Sequence, residues 1–398
     1  MTIPHFLDEA QGYQERLKAR RRDLHQQPEL GFQEFRTAEI VARELRELGL
    51  DVATGVGKTG LVGLLEGSRP GKTILLRFDM DALPVREETG AEYASITPGI
   101  MHACGHDGHV SIGLTVARLL ADHRESLPGR VKFVFQPAEE GQGGAEAMIA
   151  SGVLQNPRPD RALAMHLWND RPVGWVGIVP GPVLAGGDTF TIQITGKGGH
   201  GALPQQAGDP VVAAAQIITA LQTIASRNIS PFESAVISVT QVRAGEAFNV
   251  IPPDAELTGT MRSFLPYVHE TMVQRFEQIV RGIAGGMGCQ AEIRIHEVTP
   301  PVNNDPAMAS QIQAIVHREF PSLEVDPQFR SMVSEDMAFF LQEIPGVFAL
   351  VGSANPKKGF TYGHHHPRFD FDEDALAIGA ALLAQSAFEL NAGEWDGN

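Results

Sequence analysis

The sequence predicts an α/β protein whose mostly parallel sheet is covered by helices, with a ferredoxin-like βαββαβ domain inserted into it. Three observations carry this expectation. Short continuous apolar runs alternate with helical patterns towards both ends of the chain, as in a sheet covered on both faces. Near residue 186 the pattern changes to alternating strands, and near residue 300 it changes back. Pro/Gly-rich segments at 180–187 and 300–305 bound the switch. Residues 1–185 and 301–398 are therefore expected to form one domain and residues 186–300 the other, within the two or three domains that 398 residues allow.

The elements follow in order. Residues 36–49, TAEIVARELRELGL, repeat apolar positions at helical spacing and stop at Gly49, a good C-cap. Buried strands are expected at 73–78, 131–136, 162–167 and 346–351, and helices at 111–120, 144–150, 305–320 and 372–390. In the inserted part TFTIQIT at 189–195 alternates like a strand, and Asp209 with Pro210 opens a helix expected to reach 226. Strands at 235–242 and 255–262, a helix at 267–283 and a strand at 291–298 complete the βαββαβ order.

Composition narrows the class. With 43% hydrophobic and 20% charged residues the chain is that of an ordinary globular protein. Its net charge of −16 argues against nucleic acid or an anionic membrane as partner. The one basic run, residues 18–22, reads as a solvated helix face. Two distant cysteines, Cys104 and Cys289, exclude a disulfide scaffold and suit a reducing compartment. The first 22 residues lack an apolar signal core, and no stretch reaches the ~20 apolar residues of a membrane span, so a soluble, cytoplasmic protein is expected.

The chemistry concentrates in four places. Six of the fourteen histidines lie at 102, 106, 109 and 364–366. The first group reads MHACGHDGH over 101–109; Gly105 and Gly108 predict a loop that leads into a helix at Ser111, and in a loop Cys104 and His106 can point to one centre. QPAEE at 136–140 follows a strand, so two adjacent carboxylates behind a proline can diverge, one ligating a metal and the other reaching its water. His166 lies inside an apolar run, and RFDMD at 77–81 ends another strand. Taken singly, each has an ordinary explanation as core histidine, surface acid or turn former. Together, at the ends of strands in an open α/β sheet, they predict a metal site at the carboxyl edge. Rival chemistries fail on spacing: Gly57-Lys58-Thr59 lacks the glycine five positions before Gly57, and no Gly-x-Ser-x-Gly occurs. A thiol nucleophile at Cys104 is the remaining alternative, disfavoured by the neighbouring glutamates and histidines.

These stretches, with GGHGA at 198–202, NVIP at 249–252, GTMR at 259–262, SED at 334–336 and HHPRF at 365–369, resemble the M20 metallopeptidase family in order along nearly the whole chain. The cysteine-containing motif resembles the branch of N-acyl-amino-acid amidohydrolases: hippurate hydrolase, aminoacylase-like enzymes and auxin-conjugate hydrolases. The resemblance implies a catalytic domain with an inserted lid or dimerisation domain, assembled as a homodimer or homotetramer. It implies Cys104, His106, Glu140, His166 and His365 as ligands of two divalent ions (Zn, Mn, Co or Ni) and Glu139 as general base. It further implies Asp81 as the orienting carboxylate, His200 as an oxyanion-stabilising residue that in several members reaches the partner subunit's site, and Asn249 and Arg262 as substrate contacts. Asp79 stands where the wider family has a ligand histidine, which this branch replaces through Cys104. Gln205-Gln206 departs from the Pro-His of many relatives. The activity implied is hydrolysis of the amide of an N-acyl amino acid, with a carboxypeptidase or dipeptidase acting on short peptides, or a non-catalytic binding protein on the same fold, as alternatives.

Overall fold

A computed structural model describes residues 4–392, which divide into two compact units. One holds the residues up to Gly181, Asn303–Phe329 and those from Asp336; the other holds Pro182–Val302 and Arg330–Glu335. The second unit thus recruits a segment that lay, in the reading of the sequence, within the first domain. Ser331 explains it: its N–H donates to Val183 O and its carbonyl accepts from Ala185 N, both at 3.1 Å, a pairing no local pattern reveals.

The first unit is built on an eight-stranded sheet in the order Asp51–Val56, Gly60–Glu66, Pro128–Gln136, Arg69–Asp79, Arg161–Pro172, Gly346–Ala354, Trp175–Gly177, Glu324–Asp326. The four central strands run parallel and are continuously buried along the apolar runs that predicted them. An antiparallel hairpin, Asp51–Val56 with Gly60–Glu66, extends one side, and its turn contains Gly57-Lys58-Thr59, so the triplet that ends like a phosphate loop is a hairpin connection. This hairpin is absent from the expected elements because its outer strand is mostly exposed and carries no apolar alternation.

Helices flank the sheet, His106–Asp122 and Asp374–Ala392 among them. The first starts five residues before the expected Ser111. Gly105 adopts φ +92°, which turns the chain directly into the helix, and Gly108 and Gly113 then lie inside it where the helix approaches the sheet most closely. A Cβ on Gly108 would sit 2.7 Å from Leu167 Cδ1, and one on Gly113 would sit 2.7 Å from Phe78 Cγ. Of the two glycines that read as loop residues, Gly105 is the turn into the helix and Gly108 is a packing residue. The basic run also departs from expectation: within the helix Gln14–Gln26, Arg20 and Arg21 are buried and only their neighbours face solvent.

The second unit has strand order Ala235–Ala244, Asp254–Ser263, Gly186–Thr195, Gln290–Thr299, all antiparallel, the ferredoxin-like arrangement. Its helices Pro210–Thr223 and Pro266–Gly286 pack on the sheet over a core that includes Phe190, Ile192, Leu257 and Phe276. Asp209 caps the first of them, its Oδ1 accepting from Val211 N at 2.9 Å, and a π turn at Ile224–Asn228 ends it. Among the described residues no helix is long and apolar enough to cross a membrane.

Two glycine substitutions separate packing from propensity. Gly113→Ala should lower unfolding stability by about 1–3 kcal/mol, because the new methyl group must displace the Phe78 ring in a filled core. Gly282→Ala, in an exposed helical position with open space around it, should raise stability by up to ~1 kcal/mol. Urea midpoints of the two variants should therefore move in opposite directions; a Gly113→Ala midpoint at or above wild type contradicts the packing account.

Candidate metal centre

The centre is assembled where the parallel strands end. Asp79 is the last residue of Arg69–Asp79, and Asp81 follows two residues on. Gln136 ends its own strand, and Pro137 with Ala138, at φ +53°, turns the chain so that Glu139 and Glu140 leave the sheet edge. Buried Glu34 holds that turn: it accepts from Ala138 N at 2.9 Å and from the Thr59 hydroxyl.

Among the described residues, three of the groups that result join expected site residues, each with one donor atom per residue and all donors of a group within 4.8 Å of one another: Cys104, His106 and His166; Cys104, Glu140 and His365; and His106, Glu139 and Glu140, while a fourth joins His106 to Asp79 and His109. The imidazoles are oriented by hydrogen bonds at Nδ1. His106 Nδ1 donates to Asp81 O at 2.9 Å, with Asp81 Oδ1 at 3.3 Å, which leaves Nε2 buried and without a hydrogen bond. His166 Nδ1 donates to Leu167 O at 2.7 Å, and its Nε2 lies 3.4 Å from Cys104 Sγ. His365, held at φ +65°, approaches Glu140 Oε1 with Nε2 at 3.2 Å, and its N–H donates to Ala103 O at 2.7 Å, which ties its loop to the segment bearing Cys104. Asp81 also accepts from Glu140 N at 3.1 Å and so joins two of these segments. A thiol, three imidazoles offering Nε2 and two carboxylates fit a divalent cation, and the orphaned His106 Nε2 is the atom such a cation would satisfy.

The electrostatics of the cluster favour positive charge at its centre. Burial opposes charge on His106, but Asp79, Asp81 and Glu140 outweigh it and push its pKa up to about 10, so a cation that takes the place of its Nε2 proton meets the same carboxylates. Burial, then the neighbouring His109 and His364, drives His166 well below the ordinary histidine range, leaving a neutral ring with a lone pair to give. Burial pushes the Cys104 thiol well above its usual range, and Glu140 and Glu139 push it further. Carboxylates that oppose a thiolate speak against Cys104 as a free nucleophile and in favour of a cation that would stabilise its sulfur.

The other histidines of the clusters have different duties. His109 donates from Nδ1 to Asp79 Oδ1 at 2.5 Å and accepts from Leu167 N at Nε2 at 3.0 Å, so both ring nitrogens are engaged. Asp79 is likewise occupied, its second oxygen accepting from Arg77 at 2.6 Å. His364 Nε2 donates to Leu167 O at 2.9 Å, and His366 stacks on Tyr362 with ring centroids 4.5 Å apart. His102 is a buried core ring whose pKa is pushed down to about 4 by burial.

His200, Asn249 and Arg262 belong to the second unit. His200 is exposed on the short strand Gly199–His200, paired with Val250–Ile251, and its Nδ1 accepts from Ala202 N at 3.0 Å. Asn249 sits beside it, its carbonyl accepting from Gly201 N at 2.8 Å. Arg262 lies near the far end of the Asp254–Ser263 strand and donates to Ser334 Oγ at 2.6 Å.

Residues to which the sequence assigned no role support the centre from behind. Asp336 accepts from Arg77 at 2.8 Å, from Gln136 Nε2 at 2.7 Å and from Ala145 N at 3.0 Å, binding two strand ends to the helix Gly144–Ala150. Arg21, His25 and Asp107 form a second buried cluster. Their sequence separations, 82 and 86 residues to Asp107, leave no local signal to find them by.

Comparison with known proteins agrees with this architecture. Residues 75–389 match the model of peptidase family M20/M25/M40. The chain is 40% identical over 371 residues to thermostable carboxypeptidase 1 of Saccharolobus solfataricus, covering 92% of this chain and 93% of that one. It is 39% identical over 370 residues to an N-acetyl-L-cysteine deacetylase of Bacillus subtilis, covering 93% and 87%. Among solved structures, a dinuclear metal-binding M20 peptidase of Bacillus subtilis superimposes with TM-score 0.84 at 36% identity, over 96% of this chain and 99% of the other. The chain belongs to peptidase family M20/M25/M40, a metal-dependent family of amidohydrolases and peptidases, and is one of its hydrolases.

Proposed function

We propose that this protein hydrolyses the amide bond of N-acyl amino acids, with Cys104, His106, Glu140, His166 and His365 holding two divalent ions and Glu139 acting as general base. The observation that carries the reading is Glu139 itself: a second carboxylate beside Glu140, grouped with His106 within 4.8 Å, in a cluster whose other donors already suffice for binding. When bound, the ions, drawn from Zn, Mn, Co or Ni, supply Lewis acidity at the scissile carbonyl. Glu139 accepts the proton of the attacking water and returns it to the departing amine. Asp81 orients His106 through its backbone carbonyl and carboxylate. In this reading His200 donates to the developing oxyanion, an assignment supported by its exposure between glycines that admit close approach, and Asn249 and Arg262 bind the substrate's carboxylate or carbonyl. The inserted unit would serve as lid and as the surface of a homodimer or homotetramer. Cytoplasmic residence is part of the same proposal, supported by two buried free thiols.

The similarity to N-acetyl-L-cysteine deacetylase supports the acyl reading, and the equal similarity to a carboxypeptidase supports action on short peptides as the second. A panel of N-acetyl, N-benzoyl and N-indolylacetyl amino acids against dipeptides separates them. The N-acyl series should give the higher kcat/KM, and a chelator should abolish turnover that added divalent metal restores. Preference for dipeptides would move the protein to the second reading.

Glu139→Gln should keep bound metal while lowering kcat by about two to four orders of magnitude, the usual range for a lost general base. Cys104→Ser should instead lower metal content, measured by elemental analysis of the purified variants. Loss of metal in Glu139→Gln would make Glu139 a ligand, and an inactive Cys104→Ser that keeps its metal would revive Cys104 as a nucleophile.

His200→Ala should leave metal content unchanged and reduce kcat far more than it changes KM, as loss of a contact made only in the transition state does. Mixed with Glu139→Gln, it should recover activity in heterodimers if His200 serves the partner subunit; no recovery, with heterodimers verified by mass, would assign it to its own subunit.

A further inference from the structure

The buried part of the basic run has no step in the proposed reaction. The Arg21 side chain is fully enclosed, at 0% exposure, and its guanidinium spends its donors on three carboxylates. Nε donates to Asp107 Oδ2 at 2.8 Å, one terminal nitrogen donates to Asp370 Oδ1 at 2.8 Å, and the other lies 3.4 Å from Glu373 Oε1. Rings close the remaining space, with the guanidinium carbon 4.3 Å from the Phe371 centroid and 4.9 Å from that of Tyr93. Tyr93 Oη donates to Asp370 Oδ2 at 2.7 Å, and His25 Nδ1 donates to Asp107 Oδ2 at 2.7 Å.

What makes this more than a buried ion cluster is where the acceptors are rooted. Asp107 is the residue after His106, in the first turn of its helix. Asp370 follows His365 by five residues, and its carbonyl accepts from Asn169 Nδ2 at 3.0 Å. Asn169 lies three residues beyond His166 on the same strand and also donates to Tyr362 O at 2.7 Å, at the start of the loop that carries His365. One guanidinium therefore ties the helix start directly to the loop, and through Asn169 that loop is bonded to the strand bearing His166, without Arg21 touching a donor itself.

We infer that Arg21 is a positioning residue that sets the metal affinity of the centre, by locking the segments that carry His106, His166 and His365 into one arrangement. The inference rests on the ligand assignment proposed above. A planar fork with donors in fixed directions can hold divergent carboxylates at once, which a lysine ammonium on a flexible stem cannot reproduce. Supports of this kind behind metal ligands typically govern affinity by 10–100-fold.

The test titrates metal-free full-length protein with Co²⁺ alone, following the visible absorption of the bound ion and competition with a chelator. Arg21→Lys should retain the wild-type far-UV spectrum and cooperative unfolding but bind Co²⁺ about 10–100-fold more weakly, with altered absorption bands. Asp370→Asn, which preserves shape and one acceptor oxygen, should shift affinity and bands in the same direction and keeps the test open should Arg21→Lys fail to fold. If the variants unfold earlier in their metal-free form yet bind Co²⁺ with wild-type affinity and spectrum, Arg21 is only structural and the inference is overturned. Cys104→Ser is the control for the underlying assignment: wild-type Co²⁺ affinity and bands in that variant would remove the ligand set, and this inference with it.

Discussion

Parallel register is the constraint from which the rest of the centre follows. Asp79 is the register partner of Gln136, and Arg77 that of Ala164 two residues before His166, so Asp79 and Gln136, which end their strands, lie level with His166, whose strand runs on to Pro172. Asp81 and Glu140 then emerge side by side, close enough for a direct hydrogen bond, and the helix that begins at His106 delivers its ring against Asp81. Slippage of one residue in any of these strands would turn its edge residue to the opposite face of the sheet. The glycines of that helix serve the same constraint, since only a backbone free of Cβ atoms lets it lie so close to the strands that set the register.

Level strand ends gather negative charge, and the fold manages it in two ways. Behind the edge, Asp79 and Asp336 share Arg77, and Asp107 and Asp370 share Arg21, so each of these four carboxylates has a guanidinium in contact. Removing one partner of such a pair typically costs about 3–5 kcal/mol, because the charge left behind can neither ionise comfortably nor reach water. In front of the edge, Glu139 and Glu140 lie among the thiol of Cys104 and the imidazoles of His106 and His365. Behind the edge a guanidinium built into the chain meets the carboxylates, whereas the thiol and imidazole donors in front have the chemistry that suits a divalent cation.

How much of this was legible in the sequence follows from the range of the interactions. Continuous apolar runs identify central strands, because burial on both faces writes itself locally, and the strand-turn-diacid of residues 136–140 reads directly. The βαββαβ unit is equally open, since TFTIQIT at 189–195 alternates and Asp209 with Pro210 marks a helix start. Gly105 reads correctly as a turn, but Gly108 misleads because glycine signals both a loop and close packing, and only the position of Leu167 distinguishes them. Lys18 and Arg22 beside Arg20 and Arg21 form one run in sequence but two environments in space. The exposed strand at 51–56 and the segment 330–335 fail for the opposite reason: their partners alone define them.

The same distances bear on the order in which the protein can be made. Arg21 is separated from Asp370 by 349 residues, whereas almost all of the second unit is one uninterrupted stretch, Pro182–Val302. Synthesis from the N-terminus brings out Asp107, 86 residues after Arg21, long before Asp370, so the full enclosure of the guanidinium waits for the C-terminal segment. The contacts of the second unit lie mostly within one stretch, whereas the first must join strands of residues 51–172 to Gly346–Ala354 across the insertion, a longer loop closure that slows its completion.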